Sequence, residues 1–259
     1  MPYKELAETI GHKTLEIMEG FGRTVQLGQE AVRDILAGKT DIKLTLEQMV
    51  KIGLESLPLA LVTAAFIGMV FALQIASEFV RFGAGKYVGG VMSIGMAREL
   101  GPAVTGIVVA ARVAAAISAE LGTMKVKEQI DALSALGASP IRYLVIPRFI
   151  AAALMLPLLT ILADIIGFGG GYIVATFVSK INPVQYMETA QQLLELWDVF
   201  GGMIKTFSFG MIIAVIACYK GLNTRGGAEG VGESTTSAVV TSLITLFVFN
   251  YFLSNLFFK

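Results

Sequence analysis

Four ionisable residues, Arg98, Glu99, Arg112 and Asp164, stand in stretches otherwise apolar enough to lie inside a bilayer. A charged side chain at the centre of a membrane helix costs about 2.5–3.5 kcal/mol on insertion scales, so it faces a polar cavity or a partner. Arg98 and Glu99 are neighbours, and a regular helix points them about 100° apart, so they do not satisfy one another. Two arrangements answer this: at least one of them lines a polar cavity, where an anionic head group could meet the guanidinium, or Arg98 forms an interhelical pair with Asp164. Covalent chemistry has no comparable support. His12 is the single histidine and Cys218 the single cysteine, which removes a multi-histidine metal site, a Ser/His/Asp triad in the membrane and any intramolecular disulfide. Cys218, in an apolar run, reads as packing. Two Gly-rich stretches, 167–171 and 226–232, lack the following Gly-Lys-Ser or Gly-Lys-Thr of a phosphate cradle. The chain thus shows no nucleotide-hydrolysing motif, and ATP-driven transport would need its motor on another polypeptide.

The elements that position these residues follow from hydropathy. Of 259 residues, 55% are hydrophobic and 15% charged, with a mean hydropathy of +0.71, whereas soluble domains carry about a quarter charged residues. An all-α polytopic membrane protein is expected. Five runs, near residues 57–76, 88–119, 149–178, 200–219 and 237–258, are long enough for a hydrocarbon layer of about 30 Å at 1.5 Å per residue. Gly68 in the first permits close helix contact. In the second, Pro102 removes a backbone donor, so Gly101 and Pro102 break or bend the span; such breaks line ligand sites in some transporters and are packing kinks in others. The third holds Asp164, with 167–171 a flexible stretch beyond it. Trp197 closes a moderately polar segment, 179–198, at a membrane interface.

Ahead of the first span, residues 2–37 mix charges with Leu6, Ile10, Ile17, Phe21, Val25, Val32 and Ile35 near one helical face. Too charged to cross a bilayer, this segment reads as an interfacial amphipathic helix broken near Gly20 and Gly22, or as a soluble helix packed on a partner. No cleaved signal peptide pattern is visible in it. A turn at 38–41 and an amphipathic elbow at 44–54 lead into the span. The domains expected are 1–53, interfacial helix and elbow, and 54–259, the five-span unit.

The longest polar interruption, 120–148, separates the second and third spans. Val126, Ile130, Leu133 and Leu136 recur at helical spacing, predicting one helix over 123–136 with an apolar stripe. Lys125, Lys127, Glu128, Gln129 and Asp131 fall off that stripe, Gly137 is the expected C-cap and Pro140 the stop. The loop carries Lys125, Lys127, Arg142 and Arg148, and the loop after span four adds Lys220 and Arg225, against only Arg81, Lys86 and Lys180 on the other side. The positive-inside rule therefore places the N-terminus and the 120–148 loop in the cytoplasm and the C-terminus across the membrane. Counted from that loop, Arg112 lies roughly 10 Å deep, Asp164 roughly 24 Å and Arg98 roughly 30 Å. Net charge is zero with both signs interleaved, which argues against a nucleic-acid partner.

Phe66-Ile67-Gly68-Met69-Val70, Arg98-Glu99-Leu100-Gly101-Pro102, Glu120-Leu121-Gly122-Thr123-Met124, Glu128-Gln129-Ile130-Asp131-Ala132-Leu133, Pro140 and Pro147-Arg148 together resemble the MlaE/YrbE-type permeases of MCE-associated ABC transporters, over nearly the whole chain. The resemblance implies a homodimer in a bacterial inner membrane. It also implies two cytoplasmic ABC ATPase subunits that bind ATP and magnesium, a hexameric periplasmic MCE protein and a small cytoplasmic STAS-domain subunit. The expected cargo is phospholipid or a related lipid, moved between the inner membrane and the MCE protein to maintain outer-membrane lipid organisation, with no cofactor in this chain. By the same resemblance the 120–148 loop is a coupling helix docked on the ATPase through Val126, Glu128, Gln129, Ile130, Asp131 and Leu133, its apolar stripe the anchor. A lipid cavity between the two subunits, lined by spans one, two and five, points to Val70, Gln74 and Arg98, with Glu99 a neighbouring acid. The alternative is an ion-coupled secondary transporter with Glu99 and Asp164 as proton carriers, against which stands the lack of a detectable internal repeat. An intramembrane lipid enzyme lacks a paired acid/base site with histidine or a metal cluster.

Overall fold

The computed structural model describes residues 2–259. Eleven α-helices follow one another among the described residues: α1 Pro2–Leu36, α2 Ile42–Met49, α3 Leu57–Arg81, α4 Val88–Gly95, α5 Gly101–Val109, α6 Ala115–Val126, α7 Gln129–Ala135, α8 Ile146–Ile173, α9 Pro183–Leu193, α10 Leu196–Leu222 and α11 Gly227–Phe257. Joined by wide π-helical turns, they make five helical paths long and apolar enough to cross a membrane: Ile42–Arg81, Gly85–Val126, Ile141–Val178, Leu196–Leu222 and Gly227–Phe257. The protein is therefore an all-α polytopic membrane protein; the first four expected spans lie within these paths, and the fifth overruns its path by one residue, Phe258.

Small residues let the helices approach. On α3 the buried positions are Ala60, Ala64, Gly68, Ala72 and Ala76, one every fourth residue, which makes a single stripe of minimal side chains. That stripe lies on α8, where a Cβ on Gly68 would stand 2.0 Å from the Gly167 carbonyl oxygen. The 167–171 stretch is consequently not flexible: α8 runs unbroken through it to Ile173, and Gly167, Gly170 and Gly171 form its contact surface for α3, while Gly169 faces away. Packing, rather than chain freedom, accounts for those three glycines.

Span two carries two π-helical turns, Met96–Leu100 and Ala110–Ala114. The first directly precedes Pro102, and the Gly101 amide bonds the Met96 carbonyl five residues back. The wide turn accommodates the proline, whose missing N–H falls at the start of α5. Gly101 and Pro102 thus re-register the helix by one residue instead of breaking it. Most of the core lies in spans two to four, from Val109, Val113, Ile117 and Leu121 to Ile146, Leu156, Phe209 and Ile213. A smaller cluster closes the opposite end around Met92, Met96 and Tyr186. Burial pushes the Tyr186 phenol above its ordinary range, and its hydroxyl has no hydrogen-bond partner among the described residues.

α1 is continuous through Gly20 and Gly22, with no break. Its packed face runs through Leu27, Ala31 and Ile35. A neighbouring apolar stripe, Phe21, Val25, Val32 and Leu36, stays exposed. Ile35 thus faces the core, while Phe21, Val25 and Val32 of the expected stripe face outward; Leu6, Ile10 and Ile17 lie outside the described side chains. The turn at 38–41 is present, with Asp41 capping α2 through the Leu44 amide at 3.2 Å. The 53/54 domain boundary falls inside one continuous helical path, whose Gly53 sits against Met155 of α8.

Candidate functional site

At the end of the bundle remote from the α6–α7 loop, the start of α10 and the end of α11 come together, and the Trp197 Nε1 donates to the Phe257 carbonyl at 3.1 Å. Gly202 of α10 lets the helix touch span two by its backbone: a Cβ there would stand 2.3 Å from the Ala97 carbonyl oxygen. Asp198 and Lys205 flank Gly202 and are seven residues apart, two helical turns, so both face span two.

Arg98 Nε donates to Asp198 Oδ1 at 2.7 Å. The other Asp198 oxygen accepts the Glu195 amide at 3.0 Å and closes a reciprocal cap at the α10 N-terminus. One carboxylate therefore starts a helix and holds a guanidinium. Lys205, with no exposed surface, donates to Glu99 Oε1 at 2.8 Å, the Arg98 carbonyl at 2.8 Å and Ser254 Oγ at 2.6 Å. These three bonds use every donor of the ammonium. Asn250 Nδ2 of α11 donates to the second Glu99 oxygen at 3.1 Å. The Phe258 ring lies over both cations, 5.0 Å from Arg98 Cζ and 4.8 Å from Lys205 Nζ. Two acids and two bases are thus shared among spans two, four and five.

Arg98 pairs with Asp198, not with Asp164. The π turn aims Arg98 and Glu99 together at α10, where two oppositely charged groups await them. Asp164 instead lies against Gly101, at which a Cβ would stand 1.6 Å from its Oδ1, and that buried oxygen has no hydrogen-bond partner among the described residues. It borders an apolar cavity of about 280 Å³ lined by Met96, Ile161 and Phe168, with Ser93 and Gln191 as polar edges. Glu99 and Asp164 are not brought together. Lys205 was missed by sequence reasoning although its signal was plain: a lysine inside the apolar run 200–219 needs a counter-charge, and Glu99 is one of the few acids at membrane depth.

The other end carries a second set of charges. Arg112, in the second π turn, donates to Ser56 Oγ at 2.8 Å, the Lys51 carbonyl at 3.0 Å and Glu55 Oε2 at 2.5 Å, fastening the elbow between α2 and α3. Arg148, 3% exposed, donates to Glu120 at 2.7 Å and to the Leu144 carbonyl at 2.6 Å. Lys51 reaches the other Glu120 oxygen at 3.5 Å.

The 123–136 segment is two helices, not one. α6 ends at Val126, Glu128 takes a left-handed conformation with φ 57°, and α7 begins at Gln129, the turn stapled by Lys125 Nζ to Asp131 at 2.8 Å. The left-handed residue rotates α7 relative to α6 and splits the stripe. Ile130 is buried in the main core and Leu133 packs against it, so both are turned inward. Val126, Glu128, Gln129 and Asp131 are exposed. So are Val70 and Gln74, on the outer face of α3.

Residues 45–256 match the permease MlaE family. The chain belongs to that family. A probable ABC transporter permease protein of Synechocystis sp. is 51% identical over 225 residues, 87% of this chain and 86% of that protein. A probable ABC transporter permease of Rickettsia typhi is 41% identical over 254 residues, 98% of both chains. Protein trigalactosyldiacylglycerol 1, chloroplastic, of Arabidopsis thaliana is 44% identical over 243 residues, 94% of this chain and 69% of that protein. This MlaE-family member is a transport subunit, and hydrolysis of ATP falls to a separate subunit.

Proposed function

We propose that two copies of this chain form the lipid-conducting path of an ATP-driven transporter in a bacterial inner membrane, exchanging phospholipid or a related glycerolipid with a periplasmic MCE protein and so maintaining outer-membrane lipid organisation. The carrying observation is the uneven burial of the spans. In their most apolar windows, spans one and five are 28% and 17% buried, whereas spans two, three and four are 50–61% buried. Leu59, Val62, Phe66 and Val70 on α3 and Ile244, Phe247 and Tyr251 on α11 are all exposed, leaving two wide apolar faces for a second copy and for acyl chains. The relative named for a galactolipid supports a glycerolipid cargo.

In this reading α7 and the exposed residues Val126, Glu128, Gln129 and Asp131 meet a cytoplasmic ABC ATPase, which binds ATP and magnesium, while Ile130 and Leu133 fix the loop to its own bundle. The N-terminus and this loop are cytoplasmic and the C-terminus is periplasmic. A small STAS-domain subunit completes the cytoplasmic side. Motor closure moves the loop as a rigid part of spans two and three, narrowing the space between the paired faces where Val70 and Gln74 lie. Arg98 and Glu99 act there as a fixed polar rim, because their charges are already paired.

The test is reconstitution of the co-purified complex in liposomes. Expected are two copies per particle, one ATPase per copy, and ATP-dependent movement of a fluorescent phospholipid that the ATPase-free chain does not support. Movement without the ATPase but dependent on a proton gradient, and lost in Asp164→Asn, would establish ion-coupled transport instead.

A further inference from the structure

At the loop end of the bundle, α1 does not close completely on the spans. Between it and α10 and α11 lies a groove of about 570 Å³, lined by Phe21, Val25, Met211, Val215, Ile216 and Phe249 among others. Its walls are apolar except for hydroxyls and one cation: Lys220 and the Tyr219 hydroxyl stand at its loop-side mouth, and Thr24, Thr241 and Thr245 along its flanks. The hydroxyls of Thr24 and Thr245 are satisfied internally, by the carbonyls of Gly20 and Thr241. The Lys220 ammonium pairs with no carboxylate among the described residues, and none of the groove's lining residues is acidic. From Lys220 to Met211 the groove follows nine residues of α10, roughly 14 Å, about one leaflet of hydrocarbon.

We infer that this groove is a binding site for a single phospholipid of the leaflet on the loop side, with an acyl chain along Met211–Val215 and its phosphate at Lys220 and Tyr219. The chemistry is that of a diacyl lipid bearing a phosphate. An apolar trough one leaflet deep takes the chain, and an ammonium with no carboxylate partner among the described residues, beside a phenol at the mouth, takes the anion through charge-assisted hydrogen bonds. The site is separate from the outer faces of spans one and five, and it lies beneath the helix that covers the membrane surface. At Gly28 a Cβ would meet Val215 at an ordinary contact distance of 3.5 Å, so α1 rests at the groove's edge without filling it. Occupancy would therefore bridge α1 to spans four and five through the lipid.

Native mass spectrometry on the full chain, purified in detergent with its co-purifying subunits and stripped of lipid, tests this. Palmitoyl-oleoyl phosphatidylglycerol is titrated against the uncharged diacylglycerol of the same chains. One phosphatidylglycerol per copy is expected to survive activation, with diacylglycerol held about tenfold more weakly. Lys220→Ala should lower phosphatidylglycerol affinity by about the same factor and Lys220→Arg should keep it. Thr245→Trp, which fills the groove from the half-exposed side of α11, should abolish the bound lipid without touching the cation. Equal retention of both lipids, or lipid unchanged in Lys220→Ala and Thr245→Trp, overturns the proposal. Complete displacement by excess inorganic phosphate would assign the cation to a free anion and overturn it. So would a Thr245→Trp chain that loses its dimer but keeps its lipid, which would make the groove a subunit contact.

Discussion

Charge at the α10–α11 end of the bundle is anchored on two inaccessible groups of opposite sign, Lys205 and Asp198, and shared among three spans, with Glu99 and Arg98 keeping 44% and 32% of their side chains exposed. At the α6–α7 end the one buried group is Arg148, and its partners tie an elbow to spans two and three from half-exposed positions. Lys205 and Asp198 are essentially inaccessible and every donor of the lysine is used. Glu120, Lys51 and Glu55 expose 42%, 54% and 55% of their side chains. An inaccessible ion whose donors are all used has one geometry and is costly to open; a half-exposed one trades partners with water at little cost. The difference suits a bundle whose far end stays together while its loop end follows a moving partner.

Removing one member of the buried cluster should give the largest effect. Glu99→Leu leaves the Lys205 ammonium without a counter-charge and should cost about 3–5 kcal/mol in reversible unfolding from detergent micelles, while Glu99→Leu with Lys205→Met should recover most of it. No recovery in the double variant would mean that the hydrogen bonds to Ser254 and Asn250, not charge pairing, hold this end together. Next comes Gly202→Ala, whose methyl must displace the Ala97 carbonyl and separate α10 from span two, at about 1–3 kcal/mol; a cross-link between Cys-substituted α5 and α10 would report the separation.

At the loop end the effects should be smaller. Lys51→Ala is expected to cost no more than about 1 kcal/mol, with ATPase association intact. A loss comparable to that of Glu99→Leu would erase the distinction between the two ends. Glu128→Gly removes the cost of a left-handed non-glycine residue and should stabilise the isolated permease by about 0.5–1 kcal/mol. The same substitution deletes a side chain facing the proposed ATPase surface. Stability should rise while coupled ATP hydrolysis falls, and both moving together would argue against that surface.

Much of this was legible from residues alone, because apolar runs of bilayer length have few other uses and the small residue Gly68 has an evident role between packed helices. The helical character and the position of the 120–148 loop followed from periodicity in the same way. The α6–α7 division did not, since nothing in Lys127-Glu128-Gln129 announces a left-handed residue. The π turns were half-visible: Pro102 flags the first, and no residue flags the second. Arg98 and Glu99 were recognisable as residues in need of partners, but the partner depended on which way span two faces. A one-residue π insertion decides that, and hydropathy does not register it. Lys205 could have been found, by asking which buried acid balances a lysine in an apolar helix.

The π turns of span two have a further consequence. Each holds one residue more than the surrounding α-helix needs, much as a crystal holds a dislocation. Such a defect can migrate by exchanging one hydrogen bond at a time, turning each residue it passes by about 100° while the helix on either side stays intact. Span two thus contains stored rotation at Arg98 and again at Arg112. Movement imposed at one end could reach the other as a twist, without any helix unfolding or tilting.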